Sequence, residues 1–264
     1  MSSSLSEPGS TLRALSLPMP GCNGVSVLFT DRRGGVSSGP FRTLNLSDGV
    51  GDDPSAVASN RGRVLRAIAP GAHRLAFMRQ VHGTDVVYVS GSRTPSAAGS
   101  PGDAIAQADA AYTDSPGLAV GVVTADCAPV LVADPVARIV GAAHAGRLGL
   151  AAGVVPALIG AMAAAGAEVE CMHVIVGPSI CGRCYEVPAS MRAEVAAAVP
   201  GSACTTRAGT PGIDVRAGLR GQLAGLGVAS IADDLRCTAE SAELFSYRRD
   251  GVTGRFAGLI WLGQ

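Results

Sequence analysis

Four short apolar segments follow one another in the middle of the chain, separated by gaps of only three to five residues. They are Ala110–Thr113, Leu118–Thr124, Val130–Asp134 and Arg138–Ala143. Segments of this length, bounded by turn residues, are typical of consecutive β-strands. The chain is therefore expected to fold around at least one sheet of neighbouring strands.

Helices and further strands are predicted on both sides of this run. The additional strands are Val25–Thr30, Leu75–Gln80, Val86–Ser90, Met172–Val176, Val228–Ala232 and Arg255–Leu262. The helices are Pro54–Ile68, Ala151–Ala165, Pro188–Ala198 and Asp214–Leu226. Two of them begin at a proline, which is favoured in the first helical turn. Strand runs mixed with helices predict an α/β (α+β) fold.

We predict a flexible N-terminal tail over residues 1–20 and a single domain over residues 21–264, because no repeat or interdomain linker is evident. The start of the chain is rich in serine and lacks the apolar core of a secretory signal. The seven cysteines are an odd number. Together these features favour free thiols and a cytoplasmic location.

The charge distribution argues against nucleic-acid and membrane partners. Basic and acidic residues number 21 each, and no basic cluster is present to neutralise phosphates. Leu148–Ala167 is uncharged and long enough to span a bilayer, but it is mostly Ala and Gly and contains Pro156. A buried helix is the favoured interpretation. We expect a monomer that acts on small molecules.

Three side chains are candidates for a metal or catalytic centre. His82 and His144 each lie where a predicted strand meets a glycine turn, and Cys127 precedes Pro129, which is expected to interrupt strand pairing. Two His and one Cys suit a zinc ion with an open coordination position. The same residues could form a Cys nucleophile with a His base. Asp126 is expected to point to the opposite face of the chain.

Other motifs are less specific. Cys181-Gly182-Arg183-Cys184 could be a redox pair or half of a zinc site, but no second C-x-x-C is present, so two thiols in a turn are favoured. The loops at residues 32–37 and 246–251 combine Arg with Gly and could bind phosphate, or could be exposed turns. His73 is predicted to lie at the surface and His173 to be packed in the fold.

Taken together and in order, several segments resemble the laccase-domain family, also called the YfiH or multicopper polyphenol oxidase-like family. The matching stretches are Arg33–Ser37 with Leu44-Asn45-Leu46, Gln80–Gly83, Ala108-Asp109-Ala110, Thr124–Pro129, Ala143–Gly146, Gly177–Val187, Cys237-Thr238 and Phe245–Arg255. The resemblance implies layered mixed β-sheets flanked by helices. It also implies a catalytic Zn²⁺ held by His82, Cys127 and His144.

The resemblance further implies a purine nucleoside phosphorylase that cleaves adenosine, inosine and methylthioadenosine with phosphate and also deaminates adenosine. Arg33 and Arg248 are then candidates to bind phosphate, and Asn45 to bind a ribose hydroxyl. Copper-dependent polyphenol oxidation is disfavoured, because several copper ions need many His ligands and the chain has four His. The family often has Trp and a basic residue after His-Ala-Gly, where this chain has Arg147 and Leu148.

Two rival functions remain open. A Cys–His hydrolase or amidase could remove a wrong amino acid from cell-wall precursors (UDP-MurNAc-amino acids), with Cys127 as the nucleophile. A non-catalytic metal-binding protein could retain the same three ligands. An acyl adduct on Cys127 would favour the hydrolase, and zinc occupancy without turnover would favour the non-catalytic protein.

Overall fold

A computed structural model describes residues 14–15, 22–69, 71–91 and 105–263. Most of the predicted tail at residues 1–20 lies outside this range. So does most of residues 91–102, a stretch rich in Gly, Ser, Pro and Ala that the sequence predicts to be a surface loop. Within the tail, Ala14–Leu15 form a short strand that pairs with the first predicted strand of the sheet.

The described residues contain strands distributed along the whole sequence and helices concentrated in its second half. The strands are β1 Ala14–Leu15, β2 Val25–Thr30, β3 Arg74–Phe77, β4 Val86–Tyr88, β5 Ala110–Thr113, β6 Leu118–Thr124, β7 Ala128–Asp134, β8 Ile139–Ala145, β9 His173–Val176, β10 Ala203–Thr205, β11 Pro211–Ile213, β12 Ser230–Asp233 and β13 Phe256–Leu262. The helices are α1 Pro54–Ile68, α2 Arg147–Ala152, α3 Val154–Ala164, α4 Ala189–Ala198, α5 Val215–Leu226 and α6 Tyr247–Asp250, with 3-10 turns at Gly39–Phe41 and Val169–Cys171.

The strands form two large mixed sheets and a separate hairpin. The first sheet has the order β1-β2-β13-β6-β3, and the second has the order β12-β9-β7-β8-β5-β4. Both contain parallel and antiparallel neighbours: β3 runs parallel to β6, and β4 runs parallel to β5. The hairpin pairs β10 with β11. The mixed α/β class predicted from the sequence is confirmed.

The two sheets pack face to face and are covered on their outer faces by helices. Their shared interior contains side chains from β2, β6 and β13 on one side and from β7, β8 and β9 on the other. Helix α1 covers the outer face of the first sheet, and α3 and α5 cover the outer face of the second. Strand β7 is buried at every residue because both of its faces are covered, which explains its unbroken apolar sequence.

Small residues allow the sheets to approach closely beside the ring of Phe29. A Cβ added to Gly177 would lie 2.3 Å from Phe29 Cε1 and 2.7 Å from Pro129 Cγ. A Cβ added to Gly258 would lie 2.8 Å from Pro129 Cβ. The sheets therefore meet where one aromatic ring and one proline fill the space above two glycines.

Two expectations from the sequence are wrong, and both involve residues that redirect the backbone. The predicted helix at Ala151–Ala165 is two helices, because Gly153 adopts φ 87° and ends α2 before α3 begins. Pro129 does not interrupt pairing: it lies in β7 opposite His144, and its carbonyl accepts a hydrogen bond from Gly177 N at 2.8 Å. A proline near the start of a strand loses only one donor.

Most other predicted elements are confirmed within a few residues, including β2, β5, β6 and α1 with the predicted bounds. Strands β10 and β11 and helix α6 lie in segments that carry no periodic pattern of apolar residues. Among the described helices, none combines the length and apolar character needed to cross a membrane.

Substituting Gly177 by Ala should destabilise the protein by about 1–3 kcal/mol, because the added methyl group overpacks the contact between the sheets. Gly160→Ala is the matched control. Gly160 lies exposed in α3, and a Cβ placed on it would meet no other atom, so alanine there should stabilise by about 0.5–1 kcal/mol. Urea unfolding of both variants measures the difference, and equal effects would contradict the packing argument.

Candidate active site

The three predicted ligands lie together. His82 is in the loop between β3 and β4, Cys127 immediately precedes β7, and His144 is the next-to-last residue of β8. One ligand atom from each lies within 4.8 Å of the others, and Cys127 Sγ lies 3.8 Å from His82 Nε2. The two imidazole rings meet edge to face with centroids 4.7 Å apart. Side chains distant in sequence thus converge on one point.

A buried carboxylate, Asp109, positions both histidines. Its Oδ1 lies 2.9 Å from His144 Nδ1. Because a carboxylate only accepts, Nδ1 donates the proton and Nε2 remains available as a ligand. The other bonds to Asp109 come from the backbone N–H groups of Val81, His82 and Gly83, at 2.7–3.0 Å. One carboxylate therefore orients the ring of one histidine and the loop of the other.

The segments that carry the ligands have two special backbone positions, Gly146 and His82. A Cβ at Gly146 would lie 2.7 Å from Cys127 Sγ and 3.0 Å from His82 Cδ2, so only glycine leaves room for the ligands. His82 adopts φ 62°, a left-handed conformation that side-chain-bearing residues seldom adopt. The hydrogen bond from His82 N to Asp109 holds the residue in this conformation.

Asp126, next to Cys127, is not one of the clustered metal-binding side chains, and its backbone is not extended as the sequence reasoning assumed. It adopts φ 101°, and its carboxylate accepts hydrogen bonds from Thr238 Oγ1 at 2.6 Å, Ser246 Oγ at 2.7 Å and Arg248 N at 2.6 Å. This network ties the turn that carries Cys127 to the segment that contains α6.

Cys127 and His144 form an acid–base pair when no metal is bound. Burial raises the pKa of the Cys127 thiol, but the neighbouring His144 cation outweighs this effect and brings that pKa to about 6. Burial lowers the pKa of His144, whereas the charges of Cys127 and Asp109 raise it to about 9. At neutral pH the sulfur is therefore a thiolate, the form that binds metals and acts as a nucleophile.

The three ligands lie in the wall of a cavity of about 830 Å³, a size typical of small-molecule sites. The cavity is also lined by arginines and aromatic side chains. These residues are Arg61, Phe77, Arg79, Arg147, Tyr185, Tyr247, Arg248 and Arg255. A concave site with several cations and aromatic surfaces can accommodate an anionic ligand together with a flat ring.

Of the predicted substrate-binding residues, the structure places Arg248 in the cavity wall but not Arg33 or Asn45. The Arg33 side chain is half exposed and paired with Asp31. Asn45 is fully buried, and its amide is saturated: it donates to Ser47 O and Asp52, and it accepts from Ser47 N and Arg255 N. Asn45 therefore fixes the backbone at Arg255, which does line the cavity.

Sequence reasoning missed the roles of Asp109 and Arg255. Asp109 falls within one of the family-like segments, but its only further signal is a single carboxylate just before a buried strand. Its partners lie far along the chain, at residues 81–83 and 144. The signal for Arg255 is an arginine directly before the last strand, β13.

The donor set fits a single metal ion. Imidazole nitrogen and thiolate sulfur are zinc ligands, and three protein ligands leave the fourth position open, as in catalytic sites. The carboxylate–histidine pair of Asp109 and His144 is the usual outer support of such a ligand. Gly146 keeps the space beside the ligands free.

Replacing Asp109 by Asn should weaken metal binding about 10–100-fold. The single amide oxygen of Asn cannot accept hydrogen bonds from all four groups that donate to the Asp109 carboxylate. Competition titration of zinc against a coloured chelator measures the affinity. The matched control is Asp114→Asn, an exposed carboxylate that accepts a hydrogen bond from Tyr88 Oη at 2.8 Å outside the cavity. An unchanged zinc affinity in Asp109→Asn would show that Asp109 does not position the ligands.

Comparison with known proteins gives the same picture across the chain. A purine nucleoside phosphorylase of Streptomyces griseus is 53% identical over 234 residues, covering 89% of this chain and 93% of its own length. One of Mycobacterium tuberculosis is 51% identical over 233 residues, covering 88% and 90%. The crystal structure of YlmD from Geobacillus stearothermophilus superimposes with a TM-score of 0.85 at 30% identity and covers both chains completely.

The model of one protein family, described as multi-copper polyphenol oxidoreductase laccase, matches residues 26–263. The match includes both sheets apart from β1 and the first residue of β2, the three converging ligands and the residues that line the cavity. The chain therefore belongs to the multi-copper polyphenol oxidoreductase laccase family, the family of YfiH-type proteins that its motifs resemble.

Proposed function

We propose that this protein is a zinc-dependent purine nucleoside phosphorylase. It cleaves adenosine, inosine and methylthioadenosine with phosphate, and it also deaminates adenosine. The observation that carries the proposal is the convergence of His82, Cys127 and His144 on the wall of a cavity that is also lined by arginines. The relatives that are about half identical to this chain are named purine nucleoside phosphorylases, which supports the phosphorylase part of the proposal.

Zinc fits the site better than a multicopper centre. The site offers two imidazoles and one thiolate, and the remaining histidines, His73 and His173, are not among its ligands or in the cavity wall. Multicopper oxidation needs several ions and therefore many more His ligands. When bound, zinc would supply a Lewis acid that polarises an oxygen of the substrate or of water.

The cationic side chains of the cavity would bind phosphate. The Arg248 guanidinium stacks over the Tyr185 ring at 5.0 Å and donates to Glu186 O at 2.8 Å, which orients it. Arg255 is held by the carbonyls of Thr253 and Gly254. Burial lowers the pKa of Arg255, but an arginine remains cationic at neutral pH. Arg248 therefore remains a favoured phosphate ligand, and Arg255 replaces Arg33 as the second.

Aromatic surface for the purine would come from Tyr185 and Tyr247 in the same wall. The chain has Arg147 where the family often has Trp after His-Ala-Gly, so the aromatic contact has to come from another element. Arg147 lies in the same cavity wall as Tyr185, and its charge opposes the rise in the pKa of that phenol that burial causes. We assign base stacking to Tyr185 and ion pairing with the substrate to Arg147 and Arg248.

Incubating the purified protein with adenosine and phosphate should give adenine and ribose 1-phosphate, and omitting phosphate should leave only inosine from deamination. His82→Ala should abolish all three products, and His73→Ala, outside the cavity, should leave them unchanged. A chelator should abolish turnover, and added zinc should restore it. Chromatography of the products measures each outcome, and equal turnover by wild type and His82→Ala would refute the proposal.

A hydrolase is the second candidate, and one specific observation favours it. The His144 imidazole is hydrogen-bonded to the Asp109 carboxylate, and a ring nitrogen of His144 lies within 4.8 Å of Cys127 Sγ, which is close to the arrangement of Cys–His nucleophilic sites. In this function the Cys127 thiolate would attack an amide carbonyl and His144 would donate a proton to the leaving amine. An acyl adduct on Cys127, trapped with a UDP-MurNAc-amino acid, would favour the hydrolase over the phosphorylase.

The metal-free protein should show an unusually acidic thiol at Cys127. Because the pKa of Cys127 is lowered to about 6, the thiolate forms as the pH rises through that value, and alkylation by iodoacetamide should accelerate there. Mass spectrometry of the peptide containing Cys127 measures the rate, and zinc should suppress it. Cys171, whose pKa is raised, is the internal comparison and should react only at higher pH. A midpoint for Cys127 in the ordinary thiol range would contradict the predicted pairing with His144.

A further inference from the structure

A second cluster of metal-binding side chains lies outside the candidate active site. Its members are Cys181, Cys184, Cys237 and Glu240, and their ligand atoms all lie within 4.8 Å of one another. The chain thus supplies two pairs with the same spacing, a C-x-x-C and a C-x-x-E. The sequence alone does not connect them, because the second pair ends in Glu and lies far from the first along the chain.

The two pairs lie on turns with the same backbone pattern. Cys184 N and Tyr185 N both donate to Cys181 O, at 2.9 and 3.0 Å. In the second turn the N–H groups of residues 240 and 241 both donate to Cys237 O, at 3.2 and 2.9 Å. Each turn therefore brings the side chains three residues apart to one side, as in the knuckles of structural zinc sites.

The backbone also holds the two turns against each other. Ser179 and Cys237 form a parallel bridge, with Thr238 N donating to Ser179 O at 3.2 Å. Cys181 N donates to Cys237 Sγ at 3.3 Å, which joins the first turn to a side chain of the second. Cys184 Sγ lies 3.5 Å from Glu240 Oε1. The four side chains are thus brought together by main-chain contacts that do not require a disulfide.

We propose that Cys181, Cys184, Cys237 and Glu240 bind one zinc ion as a second, structural site. In a tetrahedral site with Zn–S bonds of about 2.3 Å, neighbouring sulfurs are about 3.8 Å apart, so small side-chain rotations suffice to close the ligands around an ion. Four protein ligands leave no open position, which distinguishes this site from the one at His82. All four groups are used, whereas a disulfide would leave one thiol and the carboxylate without a role.

Nearby cations offset the charge of the ligands. Three thiolates and a carboxylate carry two more negative charges than zinc neutralises. Arg207 forms an ion pair with Glu240, and its backbone N–H donates to Arg183 O beside the first turn. Arg249 donates to Thr238 O at 2.8 Å, next to Cys237. The zinc ion would therefore lie near two arginines, each of which is hydrogen-bonded to the backbone of one of the two turns.

The second ion would stabilise one wall of the cavity. Tyr185, which lines the cavity, directly follows Cys184. Thr238, which directly follows Cys237, donates to Asp126 next to the ligand Cys127. By joining the two turns, the zinc ion would hold Tyr185 at a fixed distance from Thr238 and from the Asp126 carboxylate that Thr238 contacts. This role does not depend on the reaction that the cavity performs.

Metal analysis of the full-length protein tests the proposal. Purified under reducing conditions, wild type should contain two zinc ions per chain, and His82→Ala combined with Cys127→Ala should leave one. Cys184→Ser combined with Cys237→Ser should also leave one, whereas Cys171→Ser, a cysteine outside both clusters, should retain two. Wild type with one zinc that is lost entirely in His82→Ala with Cys127→Ala would overturn the second site, as would another metal bound at the four residues.

Differential alkylation of the wild-type protein provides a test that needs no variant. At alkaline pH, Cys181, Cys184 and Cys237 should be protected from iodoacetamide in the zinc-loaded protein and should react together after a strong chelator is added. Peptide mapping by mass spectrometry identifies the modified thiols. Equal alkylation with and without chelator, or a disulfide within the cluster, would overturn the proposal.

Discussion

The geometry of the candidate active site depends on one buried carboxylate. Asp109 is fully shielded from solvent, and four donors compensate for its burial: the His144 ring and the N–H groups of residues 81–83. An unpaired carboxylate in this position would be strongly destabilising. The loop of His82 and strand β8 must therefore come to Asp109 for the chain to fold, and the histidines are brought together as a result.

Other polar groups link the cavity to the rest of the fold in the same way. The Asp126 carboxylate ties the turn of Cys127 to α6, and the amide of Asn45 ties the segment before α1 to Arg255. Each of these groups joins segments far apart in sequence, and each ends beside a residue that lines the cavity. The polar groups that join distant segments of this protein therefore also hold the walls of the cavity in place.

Features formed by residues close together in the sequence could be predicted, whereas features that depend on contacts between distant residues could not. Strands β5 and β6 are predicted with their observed bounds because their apolar runs and turns are local features. His82, Cys127 and His144 are recognisable as candidates because their residue types are chemically specific, but spacing leaves a metal site and a Cys–His pair open. The roles of Asp109, and of Cys237 with Glu240, depend on partners far along the chain, which no local pattern shows.

The close contact of the two sheets has a consequence for how this site can diverge. Phe29 packs against Gly177 across the interior and against Gly258 on the neighbouring strand, and Pro129, which packs against both glycines, lies opposite His144 in the register of β7 and β8. A change of size at any of these positions would move the strand that carries a ligand. We therefore expect related sequences to change these packed residues together. A change at one of them alone would displace the strand that carries His144, so the packing between the sheets and the metal ligand constrain each other in evolution.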